Sequence, residues 1–176
     1  FRIPGKRQAD HFAAVHTLKI FLPDLKKISR QHHATVCELL TASCLRALWL
    51  EFREKAVKKG RKLRVAVPVN LRPFFSVRTE RNFFTCISVE MDPKKDGTLE
   101  TLIQEVKQQF SEQCHVEFLQ EQVSGQVAGQ QSTVSKYTPL VLKNWFLRRV
   151  YQYNGCSTTV LSNLGNIHPL DEFAFA

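Results

Sequence analysis

The sequence predicts an α/β fold, a two-layer sandwich in which a mixed sheet carries helices on one face. Runs rich in β-branched and aromatic residues alternate with segments whose apolar residues recur every three or four positions. The composition, 43% apolar and 23% charged, is that of a folded globule and excludes disordered, collagen-like and coiled-coil classes. The 176 residues fit one domain or one large subdomain.

The first third of the chain is predicted to contain a strand and two helices. Residues 1–13 are polar and basic and are expected to form a loose segment ahead of a domain at residues 14–176. Residues 15–22 alternate apolar and polar side chains, as a half-buried strand does. Pro23 opens a short helix, and the capping-box pair Thr35 and Glu38 opens a long one that ends at residues 58–60.

The rest of the chain is predicted to supply most of the sheet. Its strands share a β-branched or aromatic composition and cover residues 63–69, 83–90 and 157–161. Helices are expected from Thr98 and from residues 138–139, whereas Gly125 and Gly129 are expected to break the segment between them. The order of elements is therefore strand, helix, helix, strand, strand, three helices and a final strand.

Cysteine usage and hydropathy bound the cellular context. The five cysteines are odd in number, form no Cys-x-x-Cys pair and are expected to be reduced and mostly buried: Cys37, Cys44, Cys86, Cys114 and Cys156. No apolar run approaches the roughly 20 residues that cross a bilayer. A soluble cytoplasmic protein without a membrane span is the expectation.

No self-sufficient active site is visible. The adjacent His32 and His33 project about 100° apart on a helix end, so they are poorly placed to chelate one metal ion, and we interpret them as a helix junction. There is no nucleophile elbow, phosphate-binding glycine loop or paired carboxylate in an apolar setting. We therefore expect neither a catalytic residue nor a metal site in this chain.

The net charge of +9 favours anionic ligands. One basic cluster surrounds the end of the long helix, and its members that could attract phosphates are Lys58, Lys59, Arg61 and Lys62. A second basic stretch, residues 72–81, interleaves with phenylalanines, a pattern that single-stranded nucleic acid can use for stacking. It lacks the glycine–aromatic pattern of an RNA-recognition strand, so nucleic-acid binding stays an alternative only.

Polar side chains follow the ends of the predicted strands. Asn70 and Arg72 stand between prolines after the first β-rich run, and Asn82 leads into the next strand. Ser162 and Asn163 follow the last strand. Because strands hold such side chains rigidly while the adjoining loops leave access, these positions are candidate site residues.

The segments Val-Asn-Leu-Arg-Pro, Asn-Phe-Phe and Ser-Asn-Leu-Gly resemble the C-terminal half of the chloramphenicol acetyltransferase-like superfamily. This superfamily includes peptide-synthetase condensation domains, plant BAHD acyltransferases and alcohol acetyltransferases. The last branch looks nearest, because Ser-Asn-Leu-Gly stands in place of the plant enzymes' Asp-Phe-Gly-Trp. The resemblance covers about residues 14–170 and implies a C-terminal acyltransferase subdomain whose N-terminal catalytic half is absent from this chain.

The resemblance also implies roles for individual residues. The family's general base belongs to a His-His-x-x-x-Asp-Gly motif of the N-terminal half, whereas His32 and His33 lack the Asp-Gly. Arg72 matches an arginine that holds the aspartate of that motif, and Asn70 and Asn82 fix the backbone. Ser162 and Asn163 match the wall of the substrate tunnel. Acyl- or acetyl-coenzyme A is implied as a co-substrate rather than a tightly bound cofactor, with its phosphates near the basic cluster.

The implied function is acyl transfer from a thioester to a hydroxyl acceptor, by a protein whose other half supplies the base. The implied partners are that N-terminal half, the thioester and the alcohol, and we expect this chain alone to be inactive and to self-associate. Two alternatives stay open: a non-catalytic dimerisation or carrier-binding domain of the same fold, and a basic nucleic-acid-binding module.

Overall fold

A computed structural model describes residues 1–5, 14–75, 82–131, 139–153, 157–163 and 165. In chain order its elements are helices α1 (Leu22–Gln31) and α2 (Val36–Lys58), strands β1 (Leu63–Asn70) and β2 (Phe84–Met91), helices α3 (Leu99–Gln113), α4 (Val116–Gln131) and α5 (Leu140–Tyr153), and strand β3 (Thr159–Val160). None of these helices combines the length and the apolar character needed to cross a membrane.

The three strands form one mixed sheet in the order β2-β1-β3. β1 pairs antiparallel with β2 along all eight residues and parallel with β3. A parallel pair needs a long crossover, and here helices α3, α4 and α5 lie between β2 and β3 in the chain. The predicted α/β class with a mixed sheet is confirmed.

The core lies on one face of the sheet, the inner face. Leu63, Val65 and Val67 of β1 are buried there, opposite Met91, Val89 and Ile87 of β2. Apolar side chains of α2 and α3 complete the cluster, among them Leu45, Leu102, Ile103 and Val106. Each fully buried side chain of this size contributes about 1.5–3 kcal/mol relative to exposure, so this layer pair dominates the stability of the fold.

The other face of the sheet, the outer face, is half-exposed or exposed. It carries the alternate residues of the same strands: Arg64, Ala66, Pro68 and Asn70 of β1, Phe84, Cys86, Ser88 and Glu90 of β2, and Val160 of β3. Arg64 and Glu90 form an ion pair at one end of this face, with 2.6 Å between Nε and Oε1. Between the two ends the outer face is uncharged.

The long helix α2 starts and ends as its sequence predicts. The Thr35 hydroxyl accepts the Glu38 N–H at 3.2 Å, and the Glu38 carboxylate accepts the Thr35 N–H at 2.6 Å. The helix ends at Lys58, and Gly60 then takes the left-handed conformation, with φ +57°. These termini are set by local chemistry, so the sequence alone defines them.

The predicted strand at residues 15–22 is wrong. Residues 14–20 have no strand assignment, Val15 and Leu18 are 84% and 87% exposed, and α1 begins at Leu22 with Pro23 in its first turn. Alternation predicts a strand only where another strand lies alongside to accept its hydrogen bonds. No such strand lies beside residues 14–20 in the part of the chain that the structure describes.

Phe1 belongs to the core rather than to a loose segment. Its side chain is 8% exposed and its ring centroid lies 5.7 Å from that of Phe52. Its main-chain nitrogen donates to the Lys62 carbonyl, and its carbonyl accepts the Thr158 hydroxyl at 2.7 Å. These contacts are more than 50 residues away in the chain, which is why composition could not reveal them. Residues 6–13 of the expected loose segment lie outside the described residues.

Two further expectations need correction. Helix α4 runs through Gly125, because an exposed glycine costs a helix only about 1 kcal/mol and does not end it. Cys86 is exposed on the outer face, although the other described cysteines, Cys37, Cys44 and Cys114, are half-buried free thiols. Burial raises the pKa of these three thiols. Cys156 lies outside the described residues.

Candidate functional site

The parallel pairing of β1 with β3 brings the two polar strand ends to one end of the sheet. Ala66 pairs with Val160, and its carbonyl accepts the Leu161 N–H at 2.9 Å. Because both strands run in the same direction, Asn70 and the residues after β3 leave the sheet at the same end.

The third predicted segment lies at this end too. Asn70 pairs with Phe84, the first residue of β2, and the Leu71 N–H donates to the Phe83 carbonyl at 3.1 Å. Asn82 therefore precedes β2 where β1 ends. We call this set the strand-tip site: Asn70, Arg72, Asn82, Ser162 and Asn163.

Pro68 explains why the pairing with β3 is so short. The main-chain N–H and C=O groups of the even-numbered residues of β1 point towards β3, because the Ala66 carbonyl accepts an N–H there. Those of the odd-numbered residues point towards β2. Pro68 is the next residue on that side and has no N–H to donate. The ladder stops at Val160, and the chain at Ser162 and Asn163 is exposed. Pro68 therefore ends the pairing of β3 with β1, whereas β1 itself continues to Asn70.

Both strand ends are closed by an asparagine in the same way. The Asn70 side-chain oxygen accepts the Arg72 N–H at 3.1 Å, and the Asn163 side-chain oxygen accepts the Gly165 N–H at 2.9 Å. Such Asx turns fix the direction in which the chain leaves each strand. In each asparagine, the amide NH₂ remains as donor capacity.

The described residues of the strand-tip site are rich in hydrogen-bond donors. In residues 68–75, 82–86 and 159–163, all of which the structure describes, Arg72 is the sole charged side chain. A guanidinium, amides and a hydroxyl can grip a carboxylate or a carbonyl oxygen, but none of them takes up a proton near neutral pH. These described side chains can orient and polarise a ligand.

The basic cluster lies at the opposite end of β1. Lys58 ends α2, Lys59 caps it, and Arg61 and Lys62 lead into β1, whose eight residues span roughly 23 Å. Lys62 is paired with Glu90 at 2.9 Å, and Lys59 lies over the Phe1 ring, 5.7 Å from its centroid. The structure therefore does not bring these four cations together with the strand-tip site.

A groove of about 800 Å³ runs along the solvent side of α2, and sequence analysis did not predict it. Its wall includes Trp49, Arg53, Lys58 and Lys94. The Arg53 guanidinium lies 4.8 Å from the centroid of the Trp49 ring, and the Trp49 indole N–H donates to the Pro93 carbonyl at 3.2 Å. An aromatic residue followed four positions later by an arginine was the available sequence indication of this stack.

The two adjacent histidines lie outside the strand-tip site. His32 caps α1 and His33 follows it with φ +49°, so the pair forms the α1–α2 junction, as the sequence predicts. Within the described ranges, no three His, Cys, Asp or Glu side chains are grouped closely enough to hold a metal ion. The described part of the chain offers hydrogen-bond donors and positive charge.

Comparison with protein-family models, with curated proteins and with solved structures finds no match to this chain. The superfamily resemblance depends on short motifs and on the arrangement of the residues that carry them.

Proposed function

We propose that this chain is the C-terminal subdomain of a coenzyme A-dependent O-acyltransferase of the alcohol acetyltransferase type, with a chloramphenicol acetyltransferase-like half-domain fold. The observation that carries this proposal is the parallel pairing of β1 and β3, which brings Asn70 and Arg72 to the same end of the sheet as Ser162 and Asn163. In the superfamily, these two motifs serve one chamber. Parallel neighbouring strands end at the same end of a sheet, and this pairing joins residues some 90 positions apart in the chain.

The strand-tip site suits two tasks in acyl transfer, stabilising the oxyanion and orienting the catalytic motif. The hydroxyl of the acceptor attacks the thioester carbonyl, a base takes its proton, and the carbonyl oxygen becomes an oxyanion that needs donors. Ser162 and Asn163 carry such donors on an exposed strand end. Arg72 would hold the aspartate of the histidine motif at two points, an orienting role that a guanidinium fork performs well. The base belongs to the N-terminal half.

The outer face of the sheet suits the wall of such a chamber. Ala66, Pro68, Phe84, Cys86 and Val160 form an uncharged surface beside the strand-tip site. Exposed apolar surface of this kind marks an interaction site. Covering it with the N-terminal half of the same protein would exclude water from the reacting groups, which strengthens every hydrogen bond to the oxyanion.

The basic cluster suits the phosphates of the acyl donor better than its reacting carbonyl. The cluster lies roughly 23 Å from the strand tips, measured along β1. Lys58 and Arg61 would raise the local concentration of an anionic thioester, whereas Lys62 is partly offset by Glu90. The four described cysteines are free thiols, which fits the cytoplasm, where acyl-coenzyme A is available.

The test uses the complete protein, of which this chain would be the C-terminal half. It is incubated with acetyl-coenzyme A and a series of alcohols, and release of free coenzyme A and formation of ester are both measured. We expect transfer by the complete protein and none by the 176-residue chain alone. Transfer by the chain alone would refute the assignment of the base to the other half. Absence of transfer with every thioester, from a folded complete protein, would refute the acyltransferase function.

A non-catalytic dimerisation or carrier-binding domain is the second candidate, because α5 presents an uncovered apolar surface. Its exposed members are Leu140, Val141, Leu142, Trp145 and Leu147. An intact His-His-x-x-x-Asp-Gly motif upstream in the complete protein favours the enzyme, and its loss favours the binding domain. Nucleic-acid binding receives less support, because Phe75 and Phe83 pack on each other with 6.0 Å between ring centroids instead of standing open for stacking.

A further inference from the structure

We propose that His115 is a pH-sensitive cap of helix α4. Its neutral imidazole holds the first turn of the helix, and its protonated imidazole exchanges that contact for an ion pair with Glu117. The device lies at the corner between α3, which ends at Gln113, and α4, which begins at Val116. It concerns the folding of this corner, so its test does not depend on the proposed acyltransferase function.

His115 occupies the N-cap position of α4. Its carbonyl accepts the Leu119 N–H at 3.1 Å, and its Nδ1 accepts the Phe118 N–H at 3.2 Å. A side chain at an N-cap ordinarily accepts from the second or third N–H of the helix through an oxygen, as in serine, threonine, aspartate and asparagine. Here a ring nitrogen takes that place. Unlike a hydroxyl or an amide, an imidazole as a rule changes its charge between pH 5 and 8.

The same ring nitrogen has a second partner that excludes the first. Nδ1 of His115 also lies 3.1 Å from Oε2 of Glu117. To accept from Phe118, Nδ1 needs its lone pair, whereas to donate to the carboxylate it needs a proton in that place. A neutral imidazole with its proton on Nε2 therefore caps the helix. An imidazolium pairs with Glu117 instead and leaves the Phe118 N–H without this acceptor.

Both arrangements are accessible to these side chains. Those of His115 and Glu117 are 49% and 85% exposed, so water can bond to whichever group is released. The imidazole ring lies edge-on to the Phe118 ring with 6.0 Å between centroids, a contact that either charge state can keep. A cation at this corner stands behind the carbonyl end of α3, which favours it, and at the amide end of α4, which disfavours it. The two helix ends therefore act on the charge in opposite directions.

The other titratable groups of the surrounding elements do not compete with this histidine between pH 5 and 8. They are Glu38 of α2, Glu112 in the last turn of α3, Cys114 after it, Glu121 of α4 and Glu90 of β2, and neither α4 nor β2 carries a lysine or arginine. Glutamate as a rule titrates near pH 4, and burial raises the pKa of the Cys114 thiol, so it stays protonated. Hydrogen bonds from its own main-chain N–H and from His115 lower the pKa of Glu117, which keeps this carboxylate ionised.

The test is NMR of the 176-residue chain between pH 5 and 8. Ring-nitrogen shifts report which nitrogen carries the proton, and amide exchange, taken relative to an unstructured peptide at the same pH, reports the protection of Phe118. At the alkaline limit we expect a neutral ring protonated on Nε2. On acidification the Phe118 amide should lose about fivefold in protection, the usual effect of losing an N-cap hydrogen bond. The Leu119 amide bonds to the His115 carbonyl, so it is the internal reference and should change little.

Three variants isolate the imidazole. His115→Asn keeps an N-cap acceptor that does not titrate, so Phe118 should stay protected over the whole pH range. Glu117→Gln should retain the pH response, because the second proton on the ring removes the acceptor by itself. His33→Asn is the matched control, since asparagine tolerates the φ of +49° at that position and the response of Phe118 should be unchanged. Thermal melts monitored by circular dichroism confirm that each variant folds.

Three results would overturn the proposal. A proton on Nδ1 of the neutral ring would show that His115 donates to Glu117 in both charge states. Protection of Phe118 that does not change with pH in the unmodified chain would show that the cap is not released. A pH response of Phe118 that survives His115→Asn would assign the response to another group.

Discussion

Gly97→Ala should destabilise the protein through a single contact with Trp49. Gly97 is buried, and a Cβ added to it would lie 2.4 Å from Cδ2 of the Trp49 ring. Carbon atoms in contact prefer about 3.5–4.0 Å, so the indole must move by roughly 1 Å or more. That shift would break the Trp49–Pro93 hydrogen bond and disturb the Arg53 stack in the groove along α2.

The size of the effect follows from those contacts. Overpacking of this kind costs about 1–3 kcal/mol, and the lost hydrogen bond adds about 1 kcal/mol. We expect unfolding to become easier by about 2–4 kcal/mol. For a chain of this length, each kcal/mol lowers the melting temperature by about 2–4 °C, so the loss should be roughly 4–16 °C.

The assay is urea and thermal unfolding followed by far-ultraviolet circular dichroism. Gly125→Ala is the matched control, because nothing lies within 4 Å of a Cβ there and alanine favours the helix by about 0.5–1 kcal/mol. In a Trp49→Ala background, Gly97→Ala should cost little, since the ring it meets is gone. An equal loss in both backgrounds would show that the Trp49 contact is not the cause.

Four further predictions address the helix cap, the truncated ladder and, in two cases, the thiols. Thr35→Ala should cost about 1 kcal/mol in chemical unfolding, whereas Thr98→Ala should cost less, because the Thr98 hydroxyl bonds to the Thr101 hydroxyl and accepts no main-chain N–H of α3. Pro68→Val should supply the missing donor to β3, seen by NMR as slow exchange of the new amide; fast exchange would mean that the register does not continue. The three half-buried thiols have pKa values raised by burial, so the folded chain holds protons that the unfolded chain loses; stability should fall as pH rises above about 9, in urea titrations. Iodoacetamide should modify exposed Cys86 before those three, as peptide mass mapping would reveal.

Features that depend on interactions between residues close in the chain could be predicted from the sequence. The capping box at Thr35 and the glycine at 60 define α2, because the atoms that satisfy each helix end lie within four residues of it. The two β-rich runs became β1 and β2 because each pairs with the other along all eight of its residues. Residues 15–20 alternate just as well but remain without a strand partner in the described structure, so alternation by itself could not decide their fate.

The sequence identified candidate site residues but could not reveal how they are arranged in space. Polar residues after strands identified Asn70, Arg72, Ser162 and Asn163, but only the sheet order reveals that they share one end. That order depends on a pairing between residues more than 90 positions apart, which no window of sequence contains. The groove along α2 escaped prediction because Trp49 gains its partner, Pro93, only when α2 packs beside the turn before α3.

Pro68 links the fold to the proposed function. Had this position carried an N–H, the parallel ladder would continue beside Ser162 and Asn163 and would take up the main chain there. With proline, the ladder ends at Val160 while the antiparallel pairing with β2 continues to Asn70, since its bonds lie on the other side of β1. Pro68 thus interrupts the pairing with β3 while the pairing with β2 stays complete. A site that must hold one substrate firmly and admit another needs that combination of a fixed wall and an accessible strand end.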